Sequence, residues 1–166
     1  MEDLRKTKGY NFFAFSGYVI ASFNLFLFFL FLFRIGFDLF MFVSFMLLFI
    51  MANFILSSIT AMYIDFQKDG IIKASDVFYL YGESAYLSLF LIPSVYLGTL
   101  KTFRGIDIFA IFFVGLSVWL YRVFMIKKKT GFGFINSLVA VFFPHIILLT
   151  SLFIIITTFV YAFIKS

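Results

Sequence analysis

The sequence contains no cysteine and only one histidine in 166 residues. The first absence excludes disulfides, cysteine-ligated zinc and iron–sulfur centres, and the second excludes a histidine-rich metal site. Charged residues make up 13% of the chain, against roughly 25% in soluble domains. There is no Gly-x-x-x-x-Gly-Lys phosphate loop, Ser/His/Asp arrangement, pair of intramembrane aspartates or His/Glu metal motif. No cofactor is therefore expected, nor an enzyme. What the chain does have is apolar surface, with 64% hydrophobic and 24% aromatic residues, including 30 phenylalanines. A chain of this size has too much surface relative to its interior to fold in water with that composition. It reads as an integral membrane protein in which phenylalanine stands in for leucine against lipid.

The apolar runs are long. A polar lead over residues 1–10 precedes spans at about 12–33, 37–64, 77–100, 108–126 and 134–164. The fold class is all-α, a single bundle of five transmembrane helices. The first run starts like a signal peptide, but it is about 22 residues long and lacks a small-residue cleavage site, so it reads as a retained span. Gly17, Ala21 and Asn24 share one face of it, a packing seam. Arg34-Ile-Gly36 joins it to the second run as a hairpin, with Asp38 read as an interfacial partner of Arg34. Asn53, Ser57 and Thr60 form a polar face on the second span. The polar stretch 65–76 turns at Gly70 and supplies Ser75 as an N-cap. Two prolines, Pro93 in the third span and Pro144 in the fifth, are expected to kink their helices.

Orientation follows from the stretch WLYRVFMIKKKTGFGFINSLVAVFFPH, residues 119–145. An apolar run stops at a basic cluster, turns through Gly131-Phe-Gly133 and restarts, which is how two spans are joined on the cytoplasmic side. The amino terminus and the second and fourth loops carry nine basic residues, counting Arg122. The other side carries four: Arg34, Lys101, Arg104 and Lys165. That balance places the chain in the cell membrane with its amino terminus in the cytoplasm and its carboxyl terminus outside. The net charge of +5 speaks of topology and anionic lipid, not of nucleic acid.

Three intramembrane ionisable residues are candidate sites. Glu83 lies about six residues into the third span, roughly 9 Å below the interface. Arg122 lies at similar depth on the next span, and an ion pair between them would relieve the cost of burying each alone. The simplest role for the pair is a structural clasp; the functional version is a proton or cation relay. His145, directly after Pro144 near mid-membrane, is expected to donate to a carbonyl of its own or a facing helix. Lys127, Lys128 and Lys129 set topology and face anionic lipid.

Two segments carry a resemblance. AMYIDFQKDGIIKASDVFYLYGESAYLSLFLIP ends one span in a short polar, glycine-containing loop, then enters the next through an aromatic–glycine step and reaches a proline. GLSVWLYRVFMIKKKTGFGFINSLVAVFFP is a span, a basic–glycine loop and a proline-bearing span. Together, over residues from about 55 to 160, they resemble the Yip family (Ypt/Rab-interacting-protein-like membrane proteins). The resemblance implies a five-span bundle with a cytosolic amino terminus. Eukaryotic members add a long cytosolic amino-terminal region and act in vesicle trafficking with Rab GTPases. With about ten residues there, this chain is similar to a short prokaryotic-type member. The expected function is membrane organisation or trafficking through lipids, a membrane-protein partner or a second copy. The alternatives are a permease subunit with a polar path at Glu83, Arg122 and His145, and a small accessory subunit whose phenylalanines face another chain.

Overall fold

The computed structural model describes residues 2–68, 71–98 and 105–165. Gly70, Lys101 and Arg104 lie outside them. The described residues are helical, with no strand among them. The helices are α1 (Glu2–Phe33), α2 (Leu39–Gln67), α3 (Ala74–Ala85), α4 (Leu91–Gly98), α5 (Ile106–Thr130) and α6 (Phe134–Lys165), and a 3₁₀ segment, Tyr86–Phe90, joins α3 to α4. Four stretches are long and apolar enough to cross a membrane: Asn11–Phe33, Leu39–Gln67, Ile108–Thr130 and Phe134–Thr158. Their outward faces carry Phe40, Phe66, Phe109 and Phe153, each at least two-thirds exposed, as lipid contact allows and water does not. This is the architecture of a multi-pass helical membrane protein.

The segment expected as one span over 77–100 differs from the other four. It is broken into α3, the 3₁₀ segment and α4. Pro93 stands in the first turn of α4 and has no N–H for the carbonyl one turn earlier, and the tighter 3₁₀ winding lies directly upstream. Pro144, by contrast, removes one ladder bond from α6 without ending it. α3 is central, packing against α1, α2 and α5, with Val77, Leu80 and Tyr81 fully buried in the main core alongside Tyr18, Ile64 and Ile126. Its start is also earlier than the sequence suggests. Lys73, not Ser75, precedes the helix, and its N–H donates to the Asp76 carboxylate at 3.3 Å.

The helix ends explain the hairpins. α1 stops at Arg34, which takes a left-handed φ of 55°, and the Ile35 N–H closes onto Leu30 O at 3.1 Å, a Schellman ending. Asp38 then caps α2, accepting the Met41 N–H at 2.7 Å; that cap is the contact the structure gives it, rather than the expected ion pair with Arg34. Gly131, at φ 71°, ends α5 by donating to Lys127 O at 3.0 Å, with Lys127–Lys129 in the last turn, where cations suit the helix dipole. A non-glycine residue in the left-handed region costs about 1–2 kcal/mol. Arg34→Gly should therefore stabilise the hairpin by up to about 1 kcal/mol after the added chain entropy, measured by denaturant unfolding in mixed micelles.

Candidate functional site

The site is built where α1, α2, α3 and α5 meet. Gly17 of α1 and Gly82 of α3 bring two backbones together. A Cβ on Gly17 would lie 2.0 Å from the Gly82 carbonyl oxygen, and one on Gly82 would lie 2.1 Å from that of Ala14. The seam read from Gly17, Ala21 and Asn24 is thus a real contact, with Ala21 buried and Asn24 Nδ2 donating to Ser88 Oγ at 3.1 Å. This approach seats Tyr18 on Phe78, rings 4.7 Å apart, and its hydroxyl donates to the Phe78 carbonyl.

Residues 81, 84 and 88 follow at helical spacing. Arg122, 5% exposed, reaches across from α5. Its Nε donates to Ser84 Oγ at 2.9 Å and a terminal nitrogen donates to Asn53 Oδ1 at 3.0 Å. Its Cζ lies 4.0 Å from the centroid of the Tyr81 ring, a cation–π contact. The partners are fixed in turn. Ser84 Oγ donates to Tyr81 O, and Asn53 Nδ2 donates to Phe49 O. The Thr60 hydroxyl donates to Leu56 O, so the Tyr81 hydroxyl is the donor in the 2.8 Å bond to Thr60 Oγ1. A single guanidinium thereby ties α2, α3 and α5 together.

Glu83 and Arg122, expected as a pair, come to the same level of α3 and α5, and each is held by the chain neighbour of the other. Glu83 accepts the Tyr121 hydroxyl at 2.6 Å, while Arg122 donates to Ser84. These two adjacent bonds both join α3 to α5. His145 Nδ1 is 2.7 Å from Val141 O, as expected of a membrane histidine. Because a carbonyl only accepts, Nδ1 is the donor, and the tautomer protonated there alone keeps Nε2 as an acceptor. Trp119 packs edge-on against Phe142 and His145, with centroids 4.0 and 5.1 Å away. Arg122 is a buried residue and not a loop charge, which changes the count of basic residues from nine against four to eight against four.

Behind this network lies a cavity of about 350 Å³, within the range of small-molecule sites. Arg122, His145, Trp119, Asn53 and Ser88 are the side chains of its lining that carry hydrogen-bonding groups; the remainder is aliphatic and aromatic, plus Gly115. The 3₁₀ break helps to form it, since Ser88 and Leu91 border it from that segment and the turn that follows. Glu83 is not in the lining. Asn53 and Thr60 were legible as a polar face of α2, and Tyr81, Ser84 and Ser88 lie at i, i+3 and i+7. The missing piece was that Arg122 joins the two faces. Compared with known proteins, the chain matches no family model, no curated protein and no solved structure.

Proposed function

We infer that the chain is a non-enzymatic, Yip-like multi-pass protein that acts on membrane organisation or trafficking through lipids or partner proteins. In this reading the broken segment 74–98 supplies a fifth crossing, the amino terminus is cytoplasmic and Lys127–Lys129 meet anionic lipid. Its rises of about 1.5 Å per α residue and 2.0 Å per 3₁₀ residue give it roughly 40 Å of reach. Its packing also supports the crossing, since α3 is bonded to α5 at Tyr121 and Arg122 and α4 packs on the same spanning helix. The observation that carries the non-transport reading is the separation of the three ionisable residues. Arg122 and His145 border the cavity, whereas Glu83 lies outside it on Tyr121. A polar path through all three is therefore disfavoured.

The natural absence of cysteine makes the topology directly testable. Single cysteines at Lys73 and Ile106 flank the broken segment. Lys73→Cys should react with an impermeant maleimide only after permeabilisation, and Ile106→Cys in intact cells. Labelling of both from the same side would remove the fifth crossing. For the functional half, a lipid or protein should be retained at stoichiometric amounts through purification in mild detergent. Solute flux across liposomes that depends on Glu83 would overturn it in favour of transport.

A further inference from the structure

The cavity has a chemical polarity. At one end stands the Arg122 guanidinium, with His145 and Asn53 beside it. From there the α5 wall runs through Val118, Gly115 and Val114 to Ile111, eleven residues or about 16 Å of helix. Leu25 and Leu91 face that wall from α1 and α4. No residue of the lining is acidic. Arg122 carries five N–H donors, of which the bonds to Ser84 and Asn53 use two. Both of those partners are neutral, and a cation held this way in low dielectric gains most from an anionic or strongly accepting group.

Three classes of amphiphile could reach a cavity in a membrane bundle, and two of them fail to fit this one. A cationic or zwitterionic amphiphile would place positive charge against Arg122. A two-chain phospholipid exceeds 350 Å³, and its phosphate, which has no uncharged form near neutral pH, would have to travel charged to a point eight residues inside α5, about 12 Å from the Thr130 end. A single-chain carboxylic acid satisfies both ends. Its two oxygens suit a guanidinium fork, its hydroxyl when protonated suits His145 Nε2, and its chain suits the aliphatic wall. It can also enter hydrocarbon in its uncharged form.

We propose that the cavity between α1, α2, α4, α5 and α6 binds a single-chain carboxylate amphiphile of the fatty-acid class, head on Arg122 and chain along the Ile111–Val118 wall. The proposal rests on the reading that these helices span the membrane, and the cysteine labelling above tests that reading separately.

The test uses the full chain in nanodiscs of uncharged phosphatidylcholine, with radiolabelled laurate as probe and empty discs as background. Dodecanol, with the same chain and no charge, and dodecyltrimethylammonium, with opposite charge, are the comparators. Saturable binding of about one laurate per chain is expected, with dodecanol at least about tenfold weaker, the scale of one charge-assisted hydrogen bond, and no saturable binding of the ammonium. Arg122→Gln should lose at least about tenfold. Gly115→Leu fills the cavity from a position where an added Cβ meets nothing within 4 Å. It should abolish binding while leaving the melting temperature at or above wild type. Equal binding of laurate and dodecanol, no saturable binding above empty discs, or undiminished binding by folded Gly115→Leu would each overturn the proposal.

Discussion

Replacing Gly17 with alanine should cost about 2 kcal/mol of bundle stability, although alanine is the better helix former. The new methyl carbon would sit 2.0 Å from the Gly82 carbonyl oxygen and 2.9 Å from its carbon. Both are backbone atoms, so neither can swing aside, and relief requires the two helices to separate. Overpacking of this kind costs about 3 kcal/mol at the upper end of its usual range, and the gain from replacing glycine is about 1 kcal/mol. Separation would also pull Ser84, two residues beyond Gly82, away from Arg122. Gly115→Ala is the matched control: nothing lies within 4 Å of its added Cβ, so the same substitution should stabilise by about 0.5–1 kcal/mol. Opposite signs in a denaturant titration in bicelles are the expected result. Equal effects would mean that the α1–α3 crossing is looser than described.

The second large effect concerns the buried cation. Asn53→Leu removes the acceptor from an Arg122 terminal nitrogen while the charge stays buried, and should cost about 2–3 kcal/mol. Arg122→Met removes the charge itself and keeps an unbranched chain of similar reach. It leaves only neutral groups, Ser84 and Asn53, each still bonded to a backbone carbonyl, and should cost about 1 kcal/mol or less. The double variant should then be more stable than Asn53→Leu alone, a coupling that a double-mutant cycle reads directly. If the arginine variant proved the more damaging of the two, Asn53 would not be a principal support of the guanidinium.

Sequence and structure divide the account unevenly. Helical content, the membrane class, the Lys127–Lys129 turn and the seam at Gly17 were all legible, because each depends on the identity of residues close together in the chain. Polar residues on α2 were legible too, as a face at Asn53, Ser57 and Thr60. The partner of that face was not. Arg122 looked like the natural mate of Glu83 because both are charged and at similar depth, yet the guanidinium bonds to neutral Ser84 and Asn53 while Glu83 takes Tyr121. Depth along a helix follows from counting residues; the azimuth at which each helix faces its neighbours does not.

Composition and order thus determined on their own that this is a helical chain built for a membrane, where its apolar runs start and stop, and which bend collects the lysines. Tertiary structure alone decided that the third element breaks between Tyr86 and Phe90, that Arg122 is an interior strut, and that a cavity opens beside it. Those outcomes depend on how closely α1 and α3 approach and how α5 is rotated against them, and such relative positions arise from contacts between residues dozens of positions apart.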